Sequence, residues 1–351
     1  MDKRLNLVRL IRAATILRHV GVAIGLLSVS TGSVLAEGNS DECLLRALKN
    51  APPETTVAEL NSVCEIYASE IAQSDAADSL IMQRLQRERS AESTRSVLIP
   101  HRRNYLIPIS YNRSPNNQPF VDTLSVLSRE DELDHSESTF QVSLKFSLAD
   151  NLFLEQDELF FGFTAKSFWQ VYNNDISSPF RETNYEPEVF WVAPLHWQPF
   201  GSDASLLALG FSHQSNGRGG SLSRSWNRLY ANFVIEKEDF VFSLKPWWRI
   251  PEDEKTDPLD PTGDDNPDIE KFMGHFEFTT LYRSGRHEVG LMLRNNLRTN
   301  NKGAVQLDWT FPMWRDVRGY AQYFNGYGES LIDYNARTER FGIGFLLTDL
   351  L

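Results

Sequence analysis

The chain has 351 residues, of which 41% are hydrophobic and 12% aromatic, and its formal net charge is −12. A helical membrane protein needs apolar runs of about 20 residues, and none follows residue 40. The acidic balance argues against a nucleic-acid partner, because phosphate contacts draw on Lys and Arg.

Residues 1–36 read as a secretion signal. Lys3, Arg4, Arg9, Arg12 and Arg18 precede the short apolar run "VGVAIGLLSVSTGSVLA", which ends at Ala36 before Glu37. A basic start, an apolar middle and a small-residue cleavage site mark such a signal, and the run is too short for an anchor. Losing five bases and one acid takes the formal charge from −12 to −16.

Residues 37–97 read as a helical, charged periplasmic extension. Thr56 and Glu59 fit a capping box, and Leu60, Val63, Cys64, Tyr67 and Ile71 follow at helical spacing. Cys43 and Cys64 are the only cysteines. Secretion makes a disulfide plausible, and two thiols alone are a poor metal site. The run "QRLQRERSAESTRS" has the mixed charge of a solvated helix face. A plug, a partner-binding hairpin and a spacer all remain open as roles for the extension.

From residue 98 to 351 the texture changes to strands. Twelve are predicted, near 103–111, 139–148, 157–170, 183–193, 204–215, 226–236, 239–250, 269–283, 286–296, 303–311, 316–325 and 339–350. Phe140, Val142, Leu144, Phe146 and Leu148 alternate with Gln141, Ser143, Lys145 and Ser147, a period of two. Long acidic loops such as 251–268 alternate with tight links such as "EKED" and "RSGR". Aromatic residues gather near strand ends, as in "KPWWRI" and "LDWTF". Alternating loop lengths and aromatic girdles predict an antiparallel, twelve-stranded transmembrane β-barrel rather than a soluble sandwich.

Within it, "FSHQSNGRGGSLSRSWNRLY" (211–230) joins two strands. Leu207, Leu209 and Phe211 share a face that His213 and Ser215 continue, and Leu229, Ala231, Phe233 and Ile235 share one that Asn227 continues. All three polar residues therefore sit at the rim of the outward, lipid-directed face, where polar groups are costly and tend to be functional. A hairpin symmetric about residue 220 sets 213 opposite 227, with Cβ atoms about 5 Å apart. Ser215 would then be a nucleophile, His213 its base and Asn227 the group that orients the base. On composition alone, a Ser-rich loop and a catalytic site are both open.

The stretch "HQSNGRGGSLSRSWNRLY" resembles the active-site segment of the outer membrane phospholipase A family. "SSPFRETNYEPEVF" (177–190), "DDNPDIEKFMG" (264–274), "NGYGESLIDYN" (325–335) and "NYLIPISYN" (104–112) are similar to further stretches of it. The resemblance covers residues 98–351. It implies a calcium-dependent serine hydrolase on the outer surface of a twelve-stranded barrel, with the triad Ser215, His213 and Asn227. It implies that the Gly217 amide contributes to the oxyanion hole. It also implies that Ca2+ is held by the Arg218 carbonyl, by Ser223 and, in the dimer, by Ser177 of the partner subunit. Hard oxygen donors of this kind suit calcium.

There are departures from the family. The loop "GRGGSLS" (217–223) lacks an acid, Ala165 stands where a Gln is expected on the dimer seam, and the last residue is Leu351 rather than an aromatic. The expected protein is an outer-membrane phospholipase A1/A2 with lysophospholipase capability, a homodimer when active. The alternatives are a non-enzymatic barrel, either porin or scaffold, and a soluble esterase. The esterase would carry a G-x-S-x-G elbow, whereas Ser215 stands in His-Gln-Ser-Asn-Gly.

Overall fold

The computed structural model describes residue 56 and residues 79–92, 98–120, 132–176, 178–195, 197–257, 260, 262–314 and 317–348. The expected signal, Cys43, Cys64 and the predicted helix through Ile71 lie outside the described residues. Among those described are helix α1 (Leu80–Glu92) and twelve long strands. The first six are β1 (Asn104–Asn112), β2 (Ser136–Asp150), β3 (Glu158–Trp169), β4 (Phe180–Pro194), β5 (Ala204–Ser215) and β6 (Ser225–Lys237). The other six are β7 (Phe240–Arg249), β8 (Phe276–Ser284), β9 (His287–Asn295), β10 (Gly303–Trp314), β11 (Val317–Tyr327) and β12 (Arg337–Thr348).

Each strand pairs antiparallel with its neighbours in sequence, and β12 pairs with β1, which closes the barrel. A two-residue strand, Ile99–Pro100, adds to β2. The predicted strands are all present. One is shorter than expected, because Glu270–Met273 forms a short helix, α2, before β8 begins. Ile269 and Met273, four residues apart, bury together there. Gly274 ends the turn at φ 72, and a Cβ at that position would meet the Asn295 carbonyl oxygen at 2.3 Å.

The two barrel faces follow from side-chain alternation. Outward positions carry Phe163, Val189, Leu209, Phe211, Leu229 and Trp248, all exposed. A belt of this size is an aggregation surface in water and a natural one in lipid. No described helix is long and apolar enough to cross a membrane, so the strands do the crossing.

The lumen is polar and ion-paired. Glu188 accepts from Arg102 (2.6 Å), His101 (2.8 Å) and Tyr230 (2.7 Å). Arg228 reaches Glu186 at 2.8 Å, Arg181 reaches Asp333 at 2.5 Å, and Arg340 pairs with Glu137. Pairing offsets the desolvation that each buried charge would otherwise suffer.

Helix α1 packs into the lumen at the short-turn end. Ile81, Met82 and Leu85 meet the inward Ala204, Leu206, Val234, Val241 and Leu281. Glu236 accepts from Ser79 Oγ (2.7 Å) and from the amides of Leu80 (2.5 Å) and Ile81 (2.9 Å). It thereby satisfies the bare N–H groups of the first turn and complements the helix dipole. The run starting at Gln83 is thus only partly the solvated face predicted for it. Gln86 and Arg87 are exposed. Arg84 donates to the carbonyls of Pro100 and His101, Glu88 pairs with Lys145 at 2.8 Å, and Arg89 pairs with Glu158 at 2.9 Å. Between α1 and the barrel wall lies a cavity of about 490 Å3, lined by charged groups such as Arg84, Lys145 and Arg228.

Candidate active site

Strands β5 and β6 pair without a slip from Ala204↔Glu236 to Ser215↔Ser225, so His213 faces Asn227 directly. His213 Nδ1 lies 2.8 Å from Asn227 Oδ1. Ser215 is two residues along β5 on the same face, roughly 6.6 Å away at the Cα from the strand rise. Among the described residues no hydrogen bond joins Ser215 Oγ to the imidazole. Catalytic contacts are often long in the free enzyme and tighten only with substrate. Gln214, on the alternate position, turns inward and accepts from Trp226 Nε1 at 2.8 Å.

The loop after Ser215 is held at both ends. The Asn216 amide nitrogen donates to the Arg224 carbonyl (3.0 Å). Its buried side chain donates to the Leu222 carbonyl (2.8 Å) and accepts from the Arg224 amide (3.0 Å). The Arg218 guanidinium donates to the carbonyls of Phe180 (3.1 Å) and Arg181 (2.6 Å). Gly217 sits at φ 64, a left-handed conformation that disfavours side chains.

Two acidic residues that the sequence reading did not single out complete the site. Ser223 Oγ donates to Asp265 Oδ2 at 2.7 Å, and Ser225 Oγ reaches the same oxygen at 3.1 Å. Lys255 Nζ pairs with the other oxygen of Asp265 at 2.5 Å. Burial works to raise the Asp265 carboxyl, but hydrogen bonds from Lys255, Ser223 and Ser225 outweigh it and hold the group below the usual carboxylate range. So the acid missing from "GRGGSLS" arrives from the 264–274 stretch. The second residue is Glu252, whose Oε1 accepts from Asn227 Nδ2 at 3.0 Å.

Ser223, Ser225 and Asp265 form a hard-oxygen set of the kind calcium takes, and the ammonium of Lys255 shows that the carboxylate attracts a cation there. Arg218 lies in the same loop. Ser177 falls outside the described residues.

Three of the four remote stretches, 177–190, 264–274 and 325–335, gather at this end of the barrel, and Asn216 of the hairpin donates to Glu182 at 3.3 Å. Ser225 N donates to buried Asn266 (3.0 Å), Ile332 N donates to Glu182 (3.1 Å), and Tyr334 OH donates to Asp268 (2.6 Å). These bonds tie the loop after β7 to the hairpin and the loop after β11 to both β4 and the loop after β7.

A family model described as Phospholipase A1 matches residues 81–347. The chain belongs to the phospholipase A1 family. A relative from Neisseria meningitidis serogroup B is 39% identical over 257 residues, covering 71% of this chain and 65% of its own length. The fold superposes on the outer membrane phospholipase A of Escherichia coli, solved as an active-site mutant with an asparagine changed to alanine. There the TM-score is 0.67 and the identity 32%, over 76% of this chain and 98% of that one. It is similar too to the outer membrane phospholipase of Salmonella typhi, a dimer with bound calcium, with a TM-score of 0.66 and 33% identity over 75% and 97% of the two chains. Family membership and a closed barrel with an apolar outer belt put this protein in the outer membrane of a Gram-negative cell.

Proposed function

We propose that the protein is a calcium-dependent outer-membrane phospholipase that cleaves acyl esters of phospholipids at sn-1 and sn-2, and lysophospholipids as well. The observation that carries this reading is the 2.8 Å contact between His213 Nδ1 and Asn227 Oδ1 on the lipid-facing rim, with Ser215 next on the same strand face. Asn227 Oδ1 accepts the Nδ1 proton and leaves the Nε2 lone pair as the base.

Ser215 Oγ attacks the ester carbonyl carbon and its proton passes to His213 Nε2. The carbon–oxygen ester bond breaks, and His213 returns the proton to the departing lysophospholipid oxygen. Water then attacks the acyl-serine, giving its proton to His213. The fatty acid leaves, and His213 reprotonates Ser215. The Gly217 amide faces the oxygen on which negative charge develops, where a fixed donor contributes most. Calcium, when bound by Ser223, Asp265 and the Arg218 carbonyl, supplies positive charge beside that oxygen. Calcium bound in the Salmonella relative supports calcium as the cation.

Dimerisation is the second element of the reading. Ser215 pairs in register with Tyr185, Tyr185 with Ala165, and Ala165 with Val142, so an outward row runs from the site across β4, β3 and β2. A second copy seated on this row would wall an acyl groove and bring Ser177 of the partner subunit to the calcium site. Ala165 in that row makes the seam more apolar than a Gln would. The dimeric Salmonella relative supports this arrangement.

Fatty-acid release from mixed detergent–phospholipid micelles tests the reading. Release should require both calcium and Ser215, and vanish in chelator and in Ser215→Ala. Release that ignores Ser215 would move the chemistry elsewhere. A conducting but inactive barrel would favour the porin alternative.

A further inference from the structure

We propose that Glu252 is a fourth member of the hydrolytic relay, a positioning residue that fixes the Asn227 amide so that His213 can act as a base. This rests on the assignment of Ser215, His213 and Asn227 above.

The placement follows from the strand register. Trp248 pairs with Leu229 on the outward face, and the Ile250 amide donates to the Asn227 carbonyl at 2.9 Å. Pro251 disfavours a helical conformation at Ile250 and keeps the chain extended. By the period of two, Glu252 continues the outward row of Trp248 and Ile250 past Asn227. Its side chain, half-buried, folds onto the Asn227 amide at 3.0 Å. Arg249, on the alternate position, turns inward to Asp264 at 2.5 Å.

The chemistry follows from what a carboxylate can do. An ionised carboxylate only accepts hydrogen bonds, whereas a side-chain amide has a donor end and an acceptor end. Glu252 therefore selects the orientation in which Asn227 Nδ2–H points to it and Oδ1 points to His213. An Oδ1 facing Nδ1 requires the proton on Nδ1 and frees Nε2 toward Ser215. With the amide reversed, Nδ2–H would face Nδ1, the proton would sit on Nε2, and the serine proton would have no acceptor. Glu252 also places a negative charge two hydrogen bonds behind the imidazole. Asn227, being neutral, stabilises the imidazolium less than an aspartate would. A polarised chain from Glu252 through Asn227 restores part of that stabilisation.

The test uses the full-length protein in calcium-containing mixed micelles, with Glu252→Gln, Glu252→Asp and Glu252→Ala. Two quantities are read: kcat against KM for ester hydrolysis, and the rate at which a long-chain sulfonyl fluoride labels Ser215. Loss of the hydrogen-bond partner that orients a metal-bound histidine typically costs 10–100-fold, and an imidazole oriented for catalysis should respond on the same scale. Glu252→Gln keeps an acceptor but loses the charge, and kcat should fall about tenfold. Glu252→Ala should fall further, toward roughly a hundredfold. In both, KM should stay put and the labelling rate should fall in step with kcat. Glu252→Asp should recover part of both. Unchanged kcat and labelling across the variants would overturn the proposal, as would a raised KM with kcat intact, which would make Glu252 a substrate or loop contact. If Glu252→Ala fails to fold, the Gln and Asp variants still decide. Ser215→Ala runs alongside: if it stays active the triad itself is wrong, an outcome separate from failure of the Glu252 relay.

Discussion

Ser223 donates its hydroxyl to Asp265 across 2.7 Å, although 42 residues separate them. The contact joins the β5–β6 loop to the long loop after β7 and supplies the one carboxylate of the proposed calcium set. Asp265→Asn keeps the shape and removes the charge. We expect the calcium concentration for half-maximal fatty-acid release to rise about tenfold or more, equivalent to ~1.4 kcal/mol, with kcat at saturating calcium largely kept. A calcium titration of the variant checks this.

Lys255 Nζ lies 2.5 Å from the other Asp265 oxygen and is thus a tethered competitor for the same carboxylate. Lys255→Met should raise calcium affinity about threefold, the scale of a partly exposed ion pair. Terbium luminescence at the site reads the affinity without turnover. An affinity that falls would mean that Lys255 organises the loop instead.

Glu188 stands at the centre of the lumen network, accepting from Arg102, His101 and Tyr230. Breaking a buried pair from one side leaves an uncompensated charge, at a cost of about 3–5 kcal/mol. Glu188→Ala should therefore lower the urea midpoint of the refolded barrel by a wide margin. The proposed triad, which lies on the outward face, should remain active in whatever fraction folds.

Glu236 takes three hydrogen bonds from the start of α1. Charged acceptors contribute about 1.5–3 kcal/mol each, so Glu236→Ala should loosen α1 from the lumen. Limited proteolysis should then cut near residues 79–92, and bilayer conductance should rise. Fatty-acid release should not change, because the site lies at the opposite end of the barrel.

The barrel was legible because its signal is local. A period of two, tight links and aromatic strand ends are all visible within ten residues, and the His213–Asn227 register followed from a loop symmetric about residue 220. Glu252 and Asp265 were not legible as site residues. They come from a separate loop, and only the β6–β7 pairing carries that loop to the hairpin. Helix α1 misled for a different reason. In a soluble domain a polar helix face means solvent, but the interior of this barrel is itself polar. Arg84 and Glu88 can therefore turn inward to polar partners, beside the apolar contacts of Ile81, Met82 and Leu85 with the inward strand residues. Residues 269–273 read as part of a strand because Ile269, Phe272 and Met273 are apolar. The four-residue spacing of Ile269 and Met273, closed by Gly274, suited one helical turn instead.

Mapping the covalent adduct of a long-chain sulfonyl fluoride tests the catalytic assignment most directly. Intact mass and peptide sequencing should find one adduct per chain, on Ser215, formed in calcium and slowed severely by His213→Ala and by Asn227→Ala. An adduct on another residue with loss of hydrolysis, or full labelling of Ser215 without His213, would contradict it.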